Sequence, residues 1–183
     1  MTRAVLAAVL FLLSVTAATA QPAPTPGASP AAPAITPEQK RHLDDLFAKA
    51  VALQKAGDLD AALDLYNQYL AIRQDQAVIY ENRALIYVLK KDYAAALADA
   101  DKAIALNPNL ARPYHIRGAI HQLQNKCDLA MPDLDHAIAL GPFPDLPKSY
   151  GIRGLCFLRA KNYLRAIAEL SHAILLDTYG IGL

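Results

Sequence analysis

The sequence matches itself at a spacing of 34 residues, and this period constrains the fold more than any other feature of the chain. Four units align: Leu43 to Gln76, Ala77 to Leu110, Ala111 to Leu146 and Pro147 to Gly180. The third is two residues longer, with the extra residues in Gly141-Pro142-Phe143-Pro144. Each unit holds two apolar stretches of helical period. The breaks between them are Ala56-Gly57-Asp58, Lys91-Asp92, Asn125-Lys126 and Lys161-Asn162. A helix pair of this size leaves an apolar face that only its neighbour can cover, so the units are expected to stack.

Side-chain size repeats with the same period. Small residues recur where two helix axes must approach: Ala50, Ala84, Gly118 and Gly154 on the first helix, then Ala62, Ala96, Ala130 and Ala166 on the second. Larger groups recur between them: Leu46, Tyr80, Tyr114 and Tyr150 early in the first helix, and Leu59, Tyr93, Cys127 and Tyr163 at the start of the second. Ala103, Ala137 and Ala173 repeat late in the second helix, and Pro108 and Pro142 follow and stop it. Composition agrees, because the 54% hydrophobic content comes with only 7% aromatic residues, no Trp and 36 Ala, a helix former's choice.

This pattern resembles the tetratricopeptide repeat from Leu43 to Gly180, with Ala77 to Asn109 the closest match. The first unit departs from it by carrying Tyr69 where the others have Ala. The resemblance implies an all-α fold, a right-handed α-solenoid of about four helix-turn-helix units whose concave face holds peptides or partner proteins.

The chain ahead of the repeats divides in two. Residues 1–20 carry one charge, Arg3, then an apolar run from Ala4 to Leu13 and a small-residue end at Ala18-Thr19-Ala20, which reads as a secretory signal peptide cleaved after Ala20. The run is shorter than the roughly 20 apolar residues of a spanning helix. Export to the periplasm or the exterior is expected, with no membrane span after cleavage, the alternative being an uncleaved anchor. Residues 21–35 are Pro, Ala, Thr, Ser and Gly with few large apolar groups, a composition that cannot offset its ordering entropy and reads as a disordered spacer. Thr36-Pro37-Glu38-Gln39 then has the form of a capping box with Pro at the first helical position, so the folded domain is placed at 36–183.

Charge and motif content narrow the function. Lys and Arg number 18 against 17 Asp and Glu, leaving no basic excess to neutralise a phosphate backbone, so nucleic acid is not expected as a partner. No Gly-rich phosphate loop, nucleophile elbow or paired carboxylate motif occurs, and no two of His42, His115, His121, His136 and His172 have the i, i+4 spacing of a helical metal site. The expectation is no catalytic residue, no metal and no cofactor. Arg83, Arg117 and Arg153 share one slot, and Asp99, Asp133 and Glu169 share another on the second helix of the same units. These are expected to pair with each other rather than to form a ladder for an acidic ligand. Cys127 and Cys156, on the adjoining third and fourth units, are read either as a disulfide clamp or as two buried thiols.

First-helix positions that point away from both the partner helix and the next unit define a candidate groove. It comprises Phe47, Val51, Asn82, Leu85, Val88, Leu89, Arg112, His115, Ile116, Ala119, Leu123, Lys148, Ile152, Leu155, Leu158 and Arg159, a mostly apolar set. Relatives in the resembled family that clamp acidic C-terminal tails use Lys and Asn on the first unit, Asn on the second and basic residues on the third. Asn82 and Arg112 match, whereas Phe47, Val51 and Ile116 do not, so an amphipathic helix or apolar peptide suits the groove better. A second apolar surface is expected on the last helix, where Leu164, Ile167, Leu170, Ile174 and Leu175 have no predicted cover. Two functions follow: an exported scaffold that binds a protein or peptide in its groove, or a structural subunit of an envelope complex that self-associates through this last unit.

Overall fold

The computed structural model describes residues 34–179. The signal-peptide reading, most of the spacer and residues 180–183 lie outside them. The described residues form eight helices and no strand: α1 (Pro37–Ala56), α2 (Leu59–Ile72), α3 (Ala77–Leu89), α4 (Tyr93–Leu106), α5 (Ala111–Leu123), α6 (Cys127–Ala139), α7 (Leu146–Arg159) and α8 (Tyr163–Tyr179). Odd and even helices pair within each unit, and each even helix packs on the odd helix that follows. The odd helices α3, α5 and α7 also touch in series, so they form one inner row.

Local chemistry sets the boundaries. Thr36 caps α1 with a reciprocal box: its hydroxyl accepts from Gln39 N at 3.1 Å, and its own N–H donates to Gln39 Oε1 at 2.9 Å. Asp58 and Asp92 accept from the first-turn amides of Ala61 and Ala95 and cap α2 and α4. Each turn within a unit needs one residue in the left-handed region. Gly57 fills it at φ 85°, but Lys91, Asn125 and Lys161 hold the same slot at 62°, 64° and 59°, which a Cβ makes unfavourable.

The repeated small residues lie where the axes meet. Ala50, Ala62, Ala84, Ala96, Ala130 and Ala166 are all fully buried. A Cβ on Gly118 would sit 2.9 Å from Leu134 Cγ, and one on Gly154 would sit 2.9 Å from Leu170 Cγ. Unit two holds Ala84 and Ala100 together in one cluster, at the slots that units three and four fill with a Gly and a Leu. The volume of the slot is shared differently between the two helices.

The Arg slot is structural. Arg83 grips Asp99 with two bonds of 2.7 Å, Arg117 grips Asp133 at 2.8 and 2.6 Å, and Arg153 grips Glu169 at 2.9 Å twice. Each also reaches the preceding unit, bonding Asn67, Asp101 and Asp135 at 2.7, 2.5 and 2.6 Å. One guanidinium therefore ties its own pair together and to the previous pair. Side-chain burial of the Arg keeps these bonds from being diluted by water. His136 and His172, which the sequence placed near helix ends, lie against the rings of Tyr114 and Tyr150 at 4.2 and 4.9 Å.

Cys127 and Cys156 are joined as a disulfide, with their Cα atoms 5.5 Å apart, linking the start of α6 to α7. On α8, Leu164, Ile167, Ile174 and Leu175 are exposed, as expected. Leu170 departs from the expectation: it turns inward and is half-buried, because the missing side chain of Gly154 leaves room for it.

Candidate functional site

The inner face of the solenoid is built from four rows at the repeat spacing. Phe47, Glu81, His115 and Gly151 form one row; Val51, Leu85, Ala119 and Leu155 form the next; Lys55, Leu89, Leu123 and Arg159 run along the rim; Val78, Arg112 and Lys148 form the last. The first row changes character along the chain, from the Phe47 ring to the Glu81 carboxyl to the His115 imidazole.

Between the first and third units lies a groove of about 370 Å³, lined by Val51, Gln54, Lys55, Asn82, Leu85, Leu89, Arg112, Pro144 and Asp145. That volume falls in the range of small-ligand sites and suits a few anchor side chains of a bound segment. Five residues expected in the groove line it together: Val51, Asn82, Leu85, Leu89 and Arg112. Asn82 is turned back, its amide nitrogen donating to the Val78 carbonyl at 2.8 Å, which leaves its amide oxygen as the group free to accept.

The remaining expected residues are elsewhere. Phe47 is half-buried with its ring 6.4 Å from that of Tyr66. Ile116 is 2% exposed and belongs to the core between α4 and α5, a correction: in the second unit this slot carries Asn82, but here it faces packed side chains. His115 is corrected too. It is buried, with Nδ1 2.8 Å from Ser149 Oγ and its ring edge-on to Phe143 at 5.9 Å, so it presents nothing to a ligand. Ile152 is half-buried against Ala130, Leu134 and Cys156. Leu123, Leu155 and Arg159 are exposed farther along the row, Arg159 bonded to Asn125. Lys148 leans over a separate hollow with Pro147, Ala173, Ile174 and Asp177.

A polar lattice closes the groove floor. Arg112 Nη1 donates to Glu81 at 2.9 Å and Nε donates to Asp145 at 3.1 Å, while Lys148 Nζ holds the other Asp145 oxygen at 2.7 Å. Burial pushes the Glu81 carboxyl above its usual range, against the pull of Arg112. Burial also opposes ionisation of Asp145, but Lys148, His115 and Arg112 together hold its pKa below the ordinary value. Loss of water pushes His115 down to about 4, far enough that it is neutral at pH 7.

Sequence reasoning missed Gln54, Lys55, Glu81, Pro144 and Asp145. Gln54 is set in place by the buried Tyr66, whose hydroxyl donates to Gln54 Oε1 at 2.9 Å. Pro144 and Asp145 come from the lengthened turn of the third unit, and the two-residue excess was the signal that this turn does something the others do not. Among the described residues no three His, Cys, Asp or Glu side chains are grouped to hold a metal, and no helix is long and apolar enough to cross a membrane.

Comparison with known proteins agrees with this architecture. Residues 77–110 match the tetratricopeptide repeat family model. Tetratricopeptide repeat protein 36 of Mus musculus is 36% identical over 66 residues, and the chain spans only about a third of the length of the curated relatives it matches, 36% in this case. Among solved structures, MamA superposes with a TM-score of 0.66 at 17% identity, covering 78% of this chain and 82% of that one. YrrB, described as a tetratricopeptide protein with an unusual peptide-binding site, gives 0.63 at 20% identity over 77% of this chain and 72% of that one. The second tetratricopeptide domain of Spaghetti (RPAP3), bound to the HSP90 peptide SRMEEVD, gives 0.54 at 22% identity over 57% of this chain and 96% of that one. With a tetratricopeptide repeat matched at 77–110 and helix pairs stacked as in these solved structures, the described residues form an all-α solenoid of four helix pairs, similar in fold to tetratricopeptide repeat proteins.

Proposed function

We propose that this protein is an exported scaffold that holds an apolar or amphipathic segment of another protein in its inner groove and performs no chemistry. The observation that carries the reading is the lining of the groove. Val51, Leu85 and Leu89 form an apolar strip, while the one Arg at its floor is already neutralised by Glu81 and Asp145. An acidic tail would have to displace two carboxylates from Arg112, whereas an apolar anchor only has to displace water. Structural relatives described as peptide-binding or peptide-bound support a peptide partner in general. The apolar leader at residues 1–20 supports export, and a periplasmic or secreted location follows from that expectation.

Pull-down from an envelope extract tests it, comparing wild type with Leu85→Asp and Leu155→Asp. A partner recovered with wild type and with Leu155→Asp, which lies outside the groove, but lost with Leu85→Asp supports the groove; equal recovery from wild type and a folded Leu85→Asp rejects it. A second reading, a structural subunit that self-associates, is favoured by the exposed apolar side chains of α8.

A further inference from the structure

Highly exposed large apolar side chains among the described residues are concentrated on α8, where Leu164, Ile167, Ile174 and Leu175 are 84%, 62%, 66% and 53% exposed. Ile167 and Ile174 occupy slots that in α2 hold Leu63 and Leu70, both buried in the cluster that α3 completes. Leu164 and Leu175 have no such precedent. In earlier units their slots hold Asp60, Ala94 and Asp128, then Ala71, Ala105 and Ala139, all facing solvent. The apolar face of α8 is therefore wider than the strip that a following helix pair covers, and it is rotated outward.

Its rhythm is that of a two-helix seam. Leu164, Ile167, Ser171, Ile174 and Thr178 alternate spacings of three and four. Ser171 lies at the centre. In the preceding units that slot is Asn67, Asp101 or Asp135, each bonded to the next unit's Arg, so α8 lacks the amide or carboxylate acceptor that such stacking uses. A small neutral residue at mid-seam permits close approach without burying a charge.

The exposed residues of α1 also restrict what can cover this face. On α1, the slots matching Ile79, Arg83 and Ile86 are Asp45, Lys49 and Ala52, all exposed, with Lys49 paired to Asp45 at 2.8 Å. Head-to-tail stacking would thus press the apolar seam onto an ion pair. An anionic lipid surface is no better match, because α8 carries a single Arg, Arg165, against two acidic residues, Glu169 and Asp177. A neutral, heptad-spaced apolar helix is complementary to another of the same kind. We propose that α8 is an isologous dimer interface, in which two copies pack antiparallel about a two-fold axis at Ser171, with Ile167 facing Ile174 of the second copy. This deepens the self-association reading and leaves the groove free, since no groove-lining residue is on α8.

Sedimentation equilibrium of the full chain tests it alongside cysteine cross-linking. Wild type is expected at twice the chain mass, and Ile167→Asp/Ile174→Asp at the chain mass with unchanged helical circular dichroism. Under mild oxidation Ser171→Cys should form a covalent dimer, whereas Leu164→Cys should not link to itself, being roughly 20 Å from its mate in the antiparallel arrangement. A strictly monomeric wild type, an open-ended series of masses, a dimer that survives the double substitution, or linking at Leu164→Cys in place of Ser171→Cys would each overturn the proposal. Leu85→Asp should leave the mass unchanged, so failure of the groove reading and failure of the dimer are told apart.

Discussion

Arg112 on α5 donates to Glu81 on α3 across 2.9 Å, and this bond opposes the upward push that burial exerts on the Glu81 carboxyl at the floor of the groove. Removing the guanidinium leaves Glu81 buried with no counter-charge. Arg112→Ala is expected to cost about 3 kcal/mol in urea unfolding. The double substitution Glu81→Gln/Arg112→Ala should cost less than Arg112→Ala alone, because it removes the stranded charge. Equal costs would show that the pair contributes by packing and not by charge.

His115 makes the fold acid-sensitive. Its folded pKa of about 4 lies below the 6.5 of the unfolded chain, so between these values the unfolded state binds the extra proton. Its contribution is fully present above pH 6.5 and is lost as pH falls through 4, up to about 3 kcal/mol in all. Glu81 acts in the opposite sense, its pKa being raised, and Asp145, Lys148 and Arg112 also face the imidazole. Comparing wild type with His115→Gln cancels those shared terms. Unfolding free energy of wild type should fall more steeply from pH 6.5 to 4 than that of the variant; parallel curves would contradict the assignment.

The contact of Gly118 with Leu134 predicts a size-swap rescue. Gly118→Ala puts a methyl 2.9 Å from Leu134 Cγ and is expected to destabilise by about 1 to 3 kcal/mol, despite the better helix propensity of Ala. Gly118→Ala/Leu134→Ala restores the pairing that unit two uses at Ala84 and Ala100. Thermal melts should place the double variant above the Leu134→Ala single variant, since the added methyl fills part of the cavity.

The disulfide closes a loop of 29 residues between the third and fourth units. Breaking it is expected to cost about 3 kcal/mol, mainly through the unfolded chain. Dithiothreitol should lower the unfolding midpoint of wild type and leave Cys127→Ser/Cys156→Ser unaffected.

How much of this was legible beforehand differs by level. The helices, their breaks and the close contacts at Gly118 and Gly154 follow from the 34-residue period, because a stacked array imposes the same demand on every unit. The Arg83, Arg117 and Arg153 pairs were visible for the same reason, as covarying slots within one chain. Periodicity fails where units differ. His115 and Ile116 share slots with Glu81 and Asn82, yet the longer turn brings Phe143 and Asp145 in and buries His115. Asp145 shares its slot with Asp75 and Asn109, but Asp75 pairs with Arg73 of its own unit, so aligning the units did not point to the bond between Asp145 and Arg112. Whether Cys127 and Cys156 were bridged depended on a distance between helices that spacing along the chain does not contain.

The central claim is that the apolar strip at Val51, Leu85 and Leu89 receives a protein segment. Titration calorimetry with a peptide selected from a random library against the wild-type protein tests it most directly. Leu85→Asp is expected to weaken binding about tenfold or more, while the exposed α8 substitution Ile167→Asp leaves it unchanged. Equal affinity of wild type and a folded Leu85→Asp variant for that peptide would contradict it.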